Sequence, residues 1–179
     1  MHSKRSTLKF TIIFLSVLFF QPAFGSTDQQ SEEQRAYSKA ATQLRANASN
    51  LFMYDDPVFH NPRYIRMSNI VMDWQSEDIA ERSYQFLERY KDLYNIKDQR
   101  QELRLMSQEE QNALGMTHVV LQQYVDTIPV YAGRLAIHFR KNGSISSVNG
   151  SYLPIQDSFQ SKARVSSDNA VKNAQDDLQ

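Results

Sequence analysis

The sequence predicts an α+β fold, in which a long amphipathic helix packs on a small antiparallel β-sheet, with a signal peptide before it and a helix cut short after it. Three observations predict this. Ile79, Ser83, Phe86, Leu87, Tyr90 and Tyr94 recur at spacings of three and four, which puts them on one helix face. Leu135, Ile137 and Phe139 alternate with Arg134, Ala136, His138 and Arg140, the period of a half-buried strand. Of the 5 glycines, all but Gly25 (Gly115, Gly133, Gly143 and Gly150) punctuate one apolar, β-branched stretch over residues 117–150, as turns do.

Taken in chain order, Met1–Lys9 carries Lys4, Arg5 and Lys9, and Phe10–Phe20 is an apolar run broken only by Thr11 and Ser16. Pro22 and the small-x-small triplet Ala23-Phe24-Gly25 complete the plan of a secretory signal peptide over residues 1–25, cleaved near Gly25. A membrane-spanning helix needs about 20 apolar residues, so this run is too short for a stable anchor. Residues 26–61 form a polar N-terminal segment. Ala36, Ala40 and Leu44 allow only a weak helix there, and the segment reads as weakly helical or mobile. Leu51–Asn61, with Phe52, Met53, Tyr54, Val58 and Phe59 beside Pro57, is apolar but irregular. It reads as packing over the core, with a partner-touching strip as the other possibility.

Tyr64–Trp74 holds a short strand. Ser76 then caps a helix of about 18 residues, with Glu77 and Asp78 in its first turn, where negative charge suits the helix dipole. Its charged residues fall on the other faces, which marks a solvated surface. Glu102–Met106 reads as a strand with Leu103 and Leu105 on one side. Ser107 and Glu110 have capping-box spacing and predict one helical turn ending near Gly115. A meander of about three strands follows. Pro129 cannot donate to a ladder and belongs at an edge or bulge. Asn142-Gly143 predicts a type I′ hairpin turn, with Ser144–Asn149 as the returning strand. Residues 151–179 read as a linker through Ser166 and then a helix capped by Ser167. Ala170, Val171, Ala174 and Leu178 would line a face with nothing left to bury against, as if the chain were a fragment.

Composition narrows the function. Hydrophobic residues make up 41% of the chain, enough for a core. Without Lys4, Arg5 and Lys9 there remain 17 Lys and Arg against 20 Asp and Glu, a net charge of −3. No long basic run survives to suggest nucleic acid. Cysteine is absent, which removes disulfides, thiolate metal sites and a cysteine nucleophile.

Residues across this stretch also carry a family resemblance: Gly115, His118-Val119, Gln122-Gln123-Tyr124, Ile128-Pro129-Val130, Gly133 and Val148-Asn149-Gly150. Their order and spacing resemble the fungalysin/thermolysin propeptide domain, the pro-region of secreted thermolysin-like zinc metalloproteases. The family usually has glycine where this chain has Thr127, and often a glycine pair where it has Ala132-Gly133. The resemblance spans residues 62–150, and residues 151–179 resemble the opening of the PepSY subdomain that follows in such precursors. What it implies is a propeptide that acts as intramolecular chaperone and inhibitor of a thermolysin-like catalytic domain, in cis or in trans, in a secreted or periplasmic setting. Zinc would belong to the catalytic domain, outside this chain.

The residues themselves offer no catalytic, cofactor-binding or metal site and name no protease-contacting residue. A thermolysin-like enzyme needs H-E-x-x-H, and none of His2, His60, His118 and His138 is followed by glutamate. No G-x-S-x-G element is present. Asp55-Asp56, Glu109-Glu110 and Asp176-Asp177 are adjacent acids of the kind common in turns and helix starts. His118 and His138 can meet across neighbouring strands. Two imidazoles hold a metal only weakly, and two hydrogen-bonding strand residues is the plainer reading. A stand-alone secreted module that inhibits a protease in trans is the alternative to a precursor's pro-region. A secreted enzyme of another class has little support.

Overall fold

The computed structural model describes residues 27–111, 115–155, 159 and 165–177. The expected signal peptide lies outside them. Eight strands and four α-helices occur among the described residues. Six strands form one antiparallel sheet, in the order β2 (Phe52–Asp55), β3 (Pro62–Arg66), β8 (Ile145–Ser151), β7 (Ile128–Phe139), β6 (Met116–Val125) and β5 (Leu103–Gln111). A two-stranded ladder joins β1 (Ala48–Ser49) to β4 (Asn69–Ile70).

The period-2 pattern decides which side of the sheet is dry. Val119, Leu121, Leu135, Ile137, Phe139 and Val148 have no exposed surface, and they meet Phe86, Leu87 and Tyr90 of the helical layer in one core. On the other face lie His118, Val120, Ala136, His138 and Asn149, all half-buried, with Phe52, Tyr54 and Arg66 exposed beside them. The helical layer is α1 (Thr27–Asn47), α2 (Ile79–Arg89), a 3-10 turn (Lys91–Leu93) and the short α3 (Gln99–Glu102).

α1 is longer than its sequence suggests. Its mean polarity is high, but Ala40, Ala41 and Leu44 are buried and Tyr37 packs beside them. Ala36 is only half-buried. Tertiary packing on the 3-10 turn holds what propensity alone would not. Asn47 at its end donates to the Tyr90 hydroxyl at 3.1 Å.

α2 corrects the expectation of an 18-residue helix. It runs for 11 residues, and its N-cap is Asp78, whose side chain accepts from the Ala80 N–H. Ser76 instead receives the Asp78 N–H, so it shapes the turn before the cap. At Tyr90 the chain tightens into the 3-10 turn, with Leu93 N–H bonded to the Tyr90 carbonyl. Tyr90, Leu93, Tyr94 and Ile96 are all buried. Leaving the α-helix also lets Ile96 turn inward, a position that a continued helix with its 100° steps would carry about 120° away from Tyr90.

Two further expectations fail. Ser107–Glu110 forms no helical turn: β5 runs through it, paired with β6 from Leu103↔Gln123 to Gln111↔Met116. Eight ladder pairs outweigh one capping box. A bulge between Leu105 and Ser107 breaks the register, and Leu105 and Met106 are left exposed. The β7–β8 turn is not type I′ either. Asn142 lacks positive φ, while Gly143 has φ 74° and donates to the Arg140 carbonyl. This is the turn followed by a left-handed residue that longer hairpin loops use. The Asn142 side chain accepts the Ser144 N–H.

The rest of the meander follows its pattern. Pro129 lies opposite Tyr124, next to a register shift between Gln122 and Tyr124. β8 reaches only to the Ser151↔Arg134 pair, so Pro129 lies past its end, where no third strand needs its missing N–H. Asp126, with φ 54°, supplies the left-handed residue of the β6–β7 turn, and Ala132, with φ 59°, supplies another. Leu51–Asn61 is partly regular, not irregular. It is β2 and a turn, in which Leu51 and Met53 pack against the core as expected while Phe52, Tyr54, Val58 and Phe59 are left exposed. α4 (Ser167–Asp176) is capped by Ser166 and buries no residue.

Candidate functional site

The residues singled out by their spacing gather on β6, β7 and β8. Gln122 and Gln123 sit at the register shift of β6, and both are buried although polar. Gln122 Nε2 donates to three carbonyls, those of Gln123, Val130 and Gly133, at 2.8–3.0 Å. Its Oε1 accepts from Arg134 Nε at 2.8 Å. Gln123 makes a matched pair with Leu153: its Nε2 donates to the carbonyl at 2.7 Å and its Oε1 accepts the N–H at 3.0 Å. A buried amide is tolerated only when its partners are present. These two glutamines therefore tie the irregular backbone at 130–133 and 153 to the sheet.

The tied loop presents an apolar tip. Ile128 is 45% exposed and Tyr131 95% exposed, flanked by exposed Asp126, Thr127 and Ala132. Arg104 on β5 braces it, donating to the Asp126 carbonyl at 2.6 Å and lying over the Tyr124 ring. The exposure of Tyr131 was not legible beforehand. The only cue was a large aromatic next to a residue, Ala132, where the resembling family often carries glycine.

A second cluster crosses the open face. His118 and His138 are directly opposite in the β6–β7 register, and their Nδ1 atoms meet. The rings stand edge to face with centroids 4.5 Å apart. The other nitrogen of His138, Nε2, contacts the Asn149 side-chain oxygen on β8, while Nε2 of His118 is buried without a partner. Burial lowers the His138 pKa, the Asn149 bond opposes that, and the neighbouring His118 adds to the lowering.

The acidic pairs do not converge on a shared site. Asp55 accepts from the Tyr37 hydroxyl. Asp56 accepts the Val58 and Phe59 N–H groups at 2.8 and 3.0 Å, and these bonds, with Arg63 beyond them, hold its carboxyl below the usual range. Asp176 and Asp177 end α4. Among the described residues no group of three or more His, Cys, Asp or Glu is placed to hold a metal ion.

A helical layer on an antiparallel sheet, whose central hairpin is fastened by buried glutamines, is the class of domain that these elements define. The fungalysin/thermolysin propeptide motif matches residues 101–152, from the end of α3 through β5–β8 to Tyr152. No curated protein and no solved structure matches the chain. The matched span contains both glutamines, the exposed tip and the histidine pair, and it is consistent with a propeptide role beside a thermolysin-like protease. No helix among the described residues is long and apolar enough to cross a membrane.

Proposed function

We propose that this chain is the propeptide region of a secreted thermolysin-like zinc metalloprotease precursor, and that it chaperones and inhibits the catalytic domain. The observation that carries the reading is the propeptide-motif match over residues 101–152. Residues 1–25 would direct export, and residues 151–179 would open a PepSY subdomain. Physically, a propeptide that binds the native catalytic domain more tightly than the unfolded one shifts folding toward the native state by mass action. A covalent link raises the effective concentration further. The zinc chemistry would reside in the catalytic domain.

Ile128 and Tyr131 are the contact residues of choice within the matched span. Interface anchors are commonly aromatic, and the glutamine network holds this tip in place before any partner arrives. The test is refolding of a denatured thermolysin-like catalytic domain with and without the chain, followed by inhibition kinetics against the native enzyme. A raised yield and saturable inhibition support the reading. Equal yields and no inhibition with every such enzyme tried would remove it. Tyr131→Asp should weaken inhibition at least tenfold while leaving the urea midpoint unchanged, because the side chain touches almost nothing in the free chain.

A further inference from the structure

The histidine pair is left unexplained by the propeptide reading. Buried amides and tip residues account for the matched span's fold and its proposed contact, and neither needs two imidazoles in contact. The protons can be placed from one end. The Asn149 side-chain oxygen only accepts, so His138 Nε2 carries a proton. A neutral His138 then has a bare Nδ1, and His118 Nδ1–H donates to it. Nε2 of a neutral His118 is therefore bare, and this is the nitrogen that is buried without a partner. Two neutral rings carry two ring protons, and each proton has an acceptor.

A third proton has no such place. On His138 Nδ1 it would meet the Nδ1–H of His118 head to head. On His118 Nε2 it would be a buried donor with nothing to accept it, which proteins rarely tolerate. The neighbours on this face do not rescue the charge. Cross-strand partners share a face, and Glu109 on β5 stands opposite His118. It attracts positive charge, but it is exposed, where water and salt screen it. β8 offers only Ser147 and Asn149, both neutral. β3 adds Arg66 opposite Ser147 and the Tyr64 phenol opposite Asn149. Arg134 and Arg140 share the alternation of His138 along β7 and just past its end. Three guanidinium groups thus repel a charge on the pair.

We infer that His118 and His138 are an acid-sensitive latch: neutral, they join β6 to β7 and, through Asn149, to β8, and acid undoes the join because the folded sheet has no place for an added proton. The sign follows from linkage. Burial lowers the His138 pKa, Asn149 offsets part of this, and His118 adds to the lowering. An unfolded histidine titrates near ~6.5, so in acid the unfolded chain binds more protons than the folded one. The latch contributes fully above pH ~6.5, and its contribution is lost as pH falls from there toward the lowered folded value. Each extra proton bound by the unfolded chain lowers the folding constant up to about tenfold per pH unit. Release of a bound protease, by loosening the hairpin that carries Ile128 and Tyr131, rests on the propeptide reading. The latch does not, and its test needs no protease.

The test is urea unfolding, at pH ~7.5 and pH ~5.5, of the full chain carrying His2→Gln and His60→Gln, against the same chain with His118→Gln and His138→Gln added. The second chain has no histidine, so it cancels whatever the carboxylates contribute over this window. Between the two pH values the folding constant of the first chain should fall about tenfold or more beyond that of the second. Parallel falls, or a larger fall in the histidine-free chain, overturn the inference. Should that chain fail to fold, the imidazole nitrogen resonances of the first chain decide it. At pH ~7.5 His138 should carry its proton on Nε2 and His118 on Nδ1, and His138 should become half-charged only below pH ~6.5. A proton on Nε2 of His118, or a His138 already half-charged at pH ~6.5, overturns it.

Discussion

Gly150→Ala should be among the most damaging single-methyl additions in this chain. Gly150 pairs with Leu135 at the β7–β8 ladder and has φ +133°, a conformation L side chains avoid. A Cβ there would lie 2.0 Å from the Arg134 carbonyl oxygen and 3.1 Å from Leu135 Cα. Both obstacles are backbone of the central strand, so no rotamer change relieves them. Opening the gap to even a tight contact near 3.0 Å displaces β8 by about 1 Å. Strain at such a backbone position costs about 1–3 kcal/mol. Loosening two ladder hydrogen bonds adds about 1 kcal/mol each. The total is about 3–5 kcal/mol, a large share of the ~5–15 kcal/mol that stabilises an ordinary domain. Urea unfolding measures it directly. The control is Gly115→Ala, where φ is +63° and a Cβ meets only the Lys141 side chain at 3.3 Å. That variant should lose about 1–2 kcal/mol, the cost of the left-handed region alone. If the two variants unfold within 1 kcal/mol of each other, the close approach of β7 and β8 at this point is wrong.

Gln123→Leu removes both partners of Leu153 and should cost about 1–3 kcal/mol by urea unfolding, since a half-buried N–H and C=O would each lose a bond. Tyr94→Phe should be neutral or stabilising by about 1 kcal/mol, because the Tyr94 hydroxyl is buried without a hydrogen-bond partner. Tyr152→Phe should instead destabilise, because its hydroxyl donates to Glu102. Burial raises the pKa of both Tyr94 and Tyr152 far above the ordinary phenol value, with Glu102 adding to the rise at Tyr152. The unfolded phenols ionise near ~10 while the folded ones stay neutral, so stability is complete below pH ~10 and falls as pH rises beyond it. Unfolding midpoints at pH 8 and pH 11 should show that loss, and Tyr94→Phe should reduce it. A flat profile would refute the burial of these hydroxyls.

Period made the sheet readable. Leu135, Ile137 and Phe139 sit in the core and Arg134, Ala136 and His138 on the other face, because a strand offers only two sides. Local signals failed where tertiary pairing outbid them. Ser107 and Glu110 fit a capping box, yet β6 offered that segment a continuous ladder. α1 showed the converse. Its polar sequence carries little intrinsic drive to fold, and Leu44 is buried in a core whose other members, Tyr90 and Leu93 among them, are distant in sequence. The site was legible only in part. Glutamines at 122 and 123 were visible as a pair, but their partners at 130, 133 and 153 arise from a bulge that no local pattern announces. The meeting of His118 with His138 was legible from strand order, whereas Asn149 as the second partner required the register of β8.

The same network links fold to proposed function. A hairpin tip bearing Ile128 and Tyr131 would ordinarily lose conformational entropy on binding, about 0.5–1.5 kcal/mol for each side chain immobilised, with loop ordering on top. Here Gln122 gathers the carbonyls of Val130 and Gly133 from inside the sheet, and Arg104 holds the Asp126 carbonyl from β5. The backbone on both sides of Tyr131 is therefore fixed in the free chain. Gln122→Ala would release both carbonyls and leave Tyr131 untouched. If preorganisation matters to the contact, Gln122→Ala weakens protease inhibition beyond what its loss of stability explains, and Tyr131→Asp adds little on top of it. Strict additivity of the two changes in binding free energy would show that the tip acts through its surface alone.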